Sequence, residues 1–305
     1  MSLLFDLSPL TTTFGSILVG VIVSILLGLV VGFVSSMFGI GGGFVITPFF
    51  HSILHLPAPL AVATSMGQIA FMSLSGIVEY ARQRKIRYRE GMLLLIGAIP
   101  ASQAVALTFG NLRDSTIGNT PVIAQLTLAD VVLLLSFGLF LGLVGVYNVY
   151  RALGYRAATL ADETVSETTD AVPTSDDTRG STRSRGRPIA TLLVGVLFGA
   201  LSVLLGIGGG FFAVPFFVYA LKFDPAEAVA TSFFCILVTA VLTTIHYALA
   251  GDIYLGLSIC IALGSVIGAQ GGSRFAIKVA PERLLLSLGI LQLVVVLSYV
   301  ALKLL

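Results

Sequence analysis

GFVSSMFGIGGGFVITPFF, from Gly32 to Phe50, decides the fold, because it returns as GALSVLLGIGGGFFAVPFF from Gly199 to Phe217. The two stretches align without a gap at an offset of 167 residues, with 11 of 19 positions identical. The same offset lays Ala61-Val62-Ala63-Thr64-Ser65 on Ala228-Val229-Ala230-Thr231-Ser232, Tyr80-Ala81 on Tyr247-Ala248, Gly97 on Gly264 and Gln103 on Gln270. Apolar sequences share residues through composition alone. Gly, Pro, Thr-Ser and Gln recurring at one fixed offset are not explained that way, so the chain is an internal duplication.

Composition names the solvent of the duplicated unit. The 305 residues are 56% hydrophobic and 10% charged, with a mean hydropathy of +1.02 and no Trp. Soluble domains carry roughly a quarter charged residues. This chain cannot cover a globular surface with polar groups, and lipid is the expected solvent. A net charge of +2 offers no basic face for nucleic acid. The two cysteines, Cys235 and Cys260, both lie in apolar runs, which argues against a disulfide framework or a cysteine-ligated metal. His51 and His55 are four residues apart, but three histidines in apolar settings are a poor basis for a metal site. Residues 1–15 contain no Lys or Arg, so the charged start of a secretory signal is missing, and Phe14–Phe38 reads as a retained membrane helix.

The expected fold is an all-α polytopic membrane protein of two homologous repeats, residues 1–151 and 188–305. Each has about five helical segments, with a short broken helix after the GIGGG motif. In the first repeat the segments are Phe14–Phe38, Phe44–Leu56, Pro59–Tyr80, Gly91–Phe109 and Gln125–Tyr150. In the second they are Pro188–Leu205, Phe211–Leu221, Ala226–Leu249, Tyr254–Ser273 and Arg283–Leu304. Residues 152–187 are rich in Ser, Thr, Asp, Glu and Arg without apolar periodicity, and read as a disordered linker. The second segment of each repeat either crosses the membrane or dips in and returns. If it crosses, the repeats are inverted, and 15 of the 17 Lys and Arg residues share the cytoplasmic side with the linker. Re-entrant segments give parallel repeats and a weaker bias, so the positive-inside rule favours inversion.

The motif Gly39-Ile40-Gly41-Gly42-Gly43-Phe44 and its copy Gly206-Ile207-Gly208-Gly209-Gly210-Phe211 can bind an anion. Non-helical backbone survives in lipid only where protein or a wet cavity satisfies it. Glycines break the helix and leave N–H donors unobstructed. A short helix after the break aims a partial positive charge of about +0.5 at it. Pro48 and Pro215 fall early in that helix, where a missing N–H costs least. Paired breaks in corresponding positions point to a transporter's substrate site. The competing role for such glycines is close helix packing. A soluble phosphate loop is excluded because no Gly-Lys-Ser/Thr follows.

Uncharged polar groups complete the candidate set. Thr64-Ser65 and Thr231-Ser232 open the third segments, and Gln103 and Gln270 lie late in the fourth. They can donate to an anion or join helices to one another. Ser35 and Ser202 immediately precede the breaks as candidate cavity liners. Asp130 is expected either at the membrane interface or as a proton-handling carboxylate, and Glu79 and His246 at the interface. No Ser/His/Asp set, Cys/His set, carboxylate pair or HExxH motif is present, so the chain is not expected to be an enzyme and no cofactor is implied.

The duplicated G-x-G-G-G-F-x-x-x-P block, followed about a dozen residues later by A-x-A-T-S, resembles the TauE/SafE family of sulfite exporters and related anion permeases. The resemblance implies secondary transport of small sulfur-containing anions such as sulfite, organosulfonates or thiosulfate, across the cell membrane. Its motif residues fall on Gly39, Gly41, Gly42, Gly43, Pro48, Thr64 and Ser65, and on Gly206, Gly208, Gly209, Gly210, Pro215, Thr231 and Ser232. Coupling to H+ or Na+ would offset the transported charge. An anion channel and a non-transporting membrane scaffold are the rival readings.

Overall fold

The computed structural model describes residues 4–114, 121–123, 126–127, a set of helical positions between 135 and 150, and residues 188–276 and 281–304. Asp130 and the whole expected linker lie outside the described residues. The short helix α1 (Ser8–Phe14) ends at Gly15, whose φ of +70° separates it from α2 (Ile17–Phe38). The expected first helix is thus cut near its start, and α2 keeps 22 residues, about 33 Å of rise. After the first glycine cluster come α3 (Gly43–Pro48), a π-helical turn (Phe49–Ile53), α4 (Ala58–Arg82) and α5 (Tyr88–Asp114). The second repeat gives α6 (Pro188–Leu204), α7 (Gly210–Pro215) with its π-helical turn (Phe216–Ala220), α8 (Pro225–Ala250), α9 (Leu255–Ala276) and α10 (Pro281–Leu304).

One small element departs from the all-α expectation. Pro121–Ile123 (β1) and Leu126–Thr127 (β2) pair antiparallel, the second within the stretch expected to begin the fifth helix. Proline at the start and β-branched residues through the pair disfavour helix there.

Contact register gives the helix directions. Gly28 of α2 lies against Ile261 of α9, Gly32 against Ser265 and Phe33 against Gly272, so α2 and α9 run the same way. The mates of these contacts are present: Gly195 of α6 lies against Leu94 of α5, and Gly199 against Ala98. α4 also runs with α9, because the Ser258 hydroxyl donates to the Thr64 carbonyl (2.7 Å) and Gln68 Nε2 to Ser265 Oγ (2.9 Å). α8 likewise runs with α5, through Arg87 N–H to Thr231 Oγ1 (3.1 Å) and Cys235 Sγ to the Gly91 carbonyl (3.6 Å). α4 and α8 run oppositely, since Gly76 and Tyr80 late in α4 pack on Phe233 early in α8. α2, α4 and α9 therefore point one way, and α5, α6 and α8 the other. Exchanging the two halves maps several of these contacts onto counterparts, Gly28–Ile261 onto Gly195–Leu94, Gly32–Ser265 onto Gly199–Ala98, and Tyr254 N–H to Thr64 Oγ1 onto Arg87 N–H to Thr231 Oγ1.

The packing is that of a protein in lipid. Among the described residues five helices are long and apolar enough to span a membrane: Ile17–Phe38, Ala58–Arg82, Tyr88–Thr108, Pro225–Ala250 and Leu255–Ala276. On α2 the large residues Leu18, Ile22, Leu26 and Val30 are exposed, while Gly20, Ser24, Gly28, Gly32 and Ser35 face the interior. Lipid removes the hydrophobic drive between helices, so small residues and side-chain hydrogen bonds occupy the contact faces instead.

Candidate functional site

The two glycine breaks meet at the centre. Each long helix ends on a left-handed glycine, Gly39 (φ +72°) or Gly206 (φ +62°), whose N–H closes the last turn. Gly41 and Gly42, and Gly208 and Gly209, are also left-handed, which is the conformation a side chain would oppose. The backbones then touch: a Cβ on Gly43 would overlap the Gly206 carbonyl oxygen, and one on Gly210 the Gly39 carbonyl oxygen. Gly41 lies against Gly208, and the next aromatic residues, Phe44 and Phe211, stack edge to face with centroids 5.2 Å apart. At Gly43 and Gly210 the glycines therefore serve close packing of one break on the other.

This crossing leaves donors without acceptors. Among the described residues, the N–H groups of Gly41, Gly42, Gly43 and Phe44 form no hydrogen bond in the turn, nor do those of Gly208, Gly209, Gly210 and Phe211. These are the orphan first-turn donors that every helix start presents, doubled by the repeat. Ser35 and Ser202 are fully buried with hydroxyls that have no partner, and Ser35 Oγ lies 3.3 Å from where a Gly42 Cβ would stand. The two sides are not equal, however. Gly42 faces Val31 and Met72, whereas Gly209 faces the ring of Phe198, the mate of Val31.

The remaining candidates divide by place. Ser65 Oγ donates to the Gly206 carbonyl (3.0 Å), and Ser232 Oγ to the Gly39 carbonyl (3.0 Å), so each serine clamps the opposite break. Thr47 Oγ1 adds a second hydrogen bond to Gly206 (3.0 Å). Thr64 and Thr231 sit one residue away and face neighbouring helices, where each accepts a backbone N–H, from Tyr254 (3.3 Å) and Arg87 (3.1 Å). Those threonines join helices. Pro48 and Pro215 end the six-residue helices α3 and α7, and the π-helical turn follows. Gln103 is half-buried with an Nε2 that has no partner among the described residues, and Gln270 is exposed in a crevice with Glu79, Arg82 and Arg274.

Among the buried polar residues that the repeated motifs do not mark are Thr47, Gln68 and Ser265. Gln68 is fully buried, and its Oε1 has no partner. Searching for residues that match in both repeats passed over it, because its mate is Cys235. An amide in the middle of a membrane helix was the available signal. Among the described residues no group of three or more His, Cys, Asp or Glu could hold a metal. His51 Nδ1 bonds the Leu56 carbonyl at 2.9 Å, which closes the turn before α4.

Comparison with known proteins agrees with this architecture. The family model described as sulfite exporter TauE/SafE matches residues 24–299. The chain is 26% identical over 281 residues to "Probable membrane transporter protein YunE" of Bacillus subtilis, covering 90% of this chain and 95% of that protein. A protein of Methanocaldococcus jannaschii with the same description is 26% identical over 275 residues, covering 85% and 88%. One from Haemophilus influenzae is 28% identical over 222 residues, covering 70% and 69%. No solved structure matches the chain.

Proposed function

The chain belongs to the sulfite exporter TauE/SafE family and is a multi-pass membrane transporter; from that premise we propose that it carries small sulfur-containing anions by alternating access, binding them at the paired glycine breaks. The observation that carries this reading is the set of eight N–H groups at the crossing that find no backbone acceptor among the described residues, with the partnerless Ser35 hydroxyl beside Gly42 and its mate Ser202 also buried without a partner. Donors fixed in a low-dielectric interior favour an anion strongly, and neither glycine N–H nor serine brings a permanent charge that would trap it. Sulfite, organosulfonates and thiosulfate all present several acceptor oxygens on one small centre. The charge is offset by co-movement of H+ or Na+; none of the described carboxylates lies at the breaks, so backbone and hydroxyl groups would have to sense the coupling ion.

We read the repeats as inverted across the membrane. Helix directions support this, because α4 and its mate α8 are antiparallel. Ion pairs support it independently: Arg87 Nη2 lies 3.0 Å from Glu227, and Lys85 Nζ 3.9 Å from Asp224. The end of α4 and the start of α8 therefore share one face, which favours five crossings per repeat over parallel repeats. On this reading Arg82–Arg89 and Lys222 are cytoplasmic, and the linker joins them there.

Labelled sulfite flux into proteoliposomes, with and without a pH gradient, tests the reading. Saturable flux is expected from the wild type. The Ser35→Ala/Ser202→Ala variant should fold with unchanged stability, because neither hydroxyl has a partner to lose, yet show a raised KM. Full flux with an unchanged KM would remove the breaks as the site. Flux that grows without saturation would mark a channel, and absence of flux with every sulfur anion would favour a scaffold.

A further inference from the structure

The two halves share a scaffold but differ in lining. A crevice of about 150 Å3 opens between the C-terminal ends of α4 and α9, walled by Ser75, Val78, Glu79, Arg82, Gln270 and Arg274. Glu79 is already engaged, with Oε2 3.6 Å from Arg274 Nε and Oε1 accepting from Gln83 Nε2 at 3.0 Å. Among the described residues Arg82 has no ionic partner. Two guanidiniums against one carboxylate leave the crevice positive, on the face that also bears Arg84, Lys85, Arg87 and Arg89. Inward from it the same helix seam stays polar, through Ser75 Oγ to the Val266 carbonyl (2.9 Å) and then the Gln68–Ser265 pair.

The mate seam, between α8 and α5, keeps Gln103 for Gln270 but lacks the charged groups. His246 stands for Glu79, Leu249 for Arg82, Leu107 for Arg274 and Leu242 for Ser75, while Cys235 and Ala98 replace Gln68 and Ser265. Because α5 and α8 run opposite to α4 and α9, the charged mouth and its apolar counterpart open at opposite ends of the molecule. We propose that the Arg82–Gln270–Arg274 crevice is an oxyanion-binding station that loads the α4/α9 seam from one side of the membrane. The inference rests on the anion-carrier reading above and adds a sidedness to it. A guanidinium pair binds sulfonate, sulfite or phosphate oxygens with charge-assisted hydrogen bonds, so the same chemistry could also hold a phospholipid headgroup.

The test uses the full chain in phospholipid-free maltoside micelles, titrated with sodium sulfite or methanesulfonate at constant ionic strength, with unfolding temperature as the readout. Both anions should stabilise the wild type. Arg82→Gln/Arg274→Gln should need at least about tenfold more of either, since both charge-assisted contacts are lost. The charge-matched Arg84→Gln/Arg89→Gln variant should respond as wild type. An equal shift in both variants would reduce the effect to net charge and overturn the station. Protection by phosphatidylglycerol alone, lost in Arg82→Gln/Arg274→Gln, would assign the crevice to lipid and overturn its loading role. In proteoliposomes the same variant should raise the KM for sulfite presented to that face with kcat unchanged. A lowered kcat at constant KM would mean the arginines only brace the helix ends. If the wild type moves no sulfite, the functional reading fails, while the micelle titration still decides the crevice.

Discussion

Replacing Gly209 by alanine should cost roughly 2–5 kcal/mol of stability, against about 1–2 kcal/mol for the same change at its mate Gly42. Both glycines are left-handed, with φ of +74° and +79°, and a Cβ in that region costs about 1–2 kcal/mol. The difference between them is steric. At Gly42 the new methyl would meet Val31 Cγ1 at 3.2 Å and Met72 Sδ and Ser35 Oγ at 3.3 Å, side-chain atoms that can yield by a few tenths of an ångström. At Gly209 it would come within 2.8 to 3.1 Å of three ring atoms of Phe198. That ring is flat, rigid and fully buried, and overpacking against it adds roughly 1–3 kcal/mol. Since Phe198 stands where the first repeat has Val31, Phe198→Val should restore the space. Phe198→Val alone opens a cavity and destabilises, so the informative quantity is the coupling in the four-protein cycle. It should favour the double variant by about 1–3 kcal/mol. Reversible unfolding in mixed SDS micelles, followed by far-ultraviolet circular dichroism, measures it. Zero coupling, or a Gly209→Ala no worse than Gly42→Ala, would refute the steric account.

The serine clamps should be unequal. Gly206 keeps Thr47 when Ser65 is lost, so Ser65→Ala should cost about 0.6 kcal/mol. Val214 replaces Thr47 in the second repeat, so Ser232→Ala strands the Gly39 carbonyl and should cost about 1–3 kcal/mol. Thr47→Val/Ser65→Ala should approach that larger value in the same unfolding assay, and equal single-variant costs would contradict the hydrogen-bond assignment. Inversion has its own check in a Cys235→Ala/Cys260→Ala background. A membrane-impermeant maleimide should label Lys85→Cys and Lys222→Cys from one side and Asp252→Cys from the other; labelling of Lys85→Cys and Asp252→Cys from the same side would establish parallel repeats.

Much of the fold was legible because membrane proteins write it in periodicity and composition. The segments found from apolar runs correspond to α2, α4, α5, α6, α8, α9 and α10, with ends displaced by a few residues where helices extend into the polar boundary. Gly15 was harder to read: a single glycine near the start of a long apolar run carries no mark that it will turn left-handed and split the helix. The candidate site was legible in part. The repeated glycines converge as their duplication implied. Thr64 and Thr231 proved to face neighbouring helices while Ser65 and Ser232 face the breaks, because adjacent residues on a helix point about 100° apart and sequence alone does not say which of them turns inward. Gln103 and Gln270 matched across the repeats, yet their settings differ: Gln103 Nε2 is buried in α5 without a partner among the described residues, whereas Gln270 is exposed beside Glu79 and Arg274.

The sequence by itself determined that the chain is duplicated, that its solvent is lipid and that its helices break at two glycine clusters, since each follows from local chemistry at a fixed offset. Tertiary structure decided what those breaks do. Only the crossing of α2 and α6 onto the opposite repeat brings Gly43 under the Gly206 carbonyl and Gly41 against Gly208. Only the opposed directions of the two halves put the arginine crevice at one end and the mates of its charged residues, His246, Leu249 and Leu107, toward the other. Both depend on contacts between residues more than a hundred positions apart, where no local preference of the chain can choose the partner.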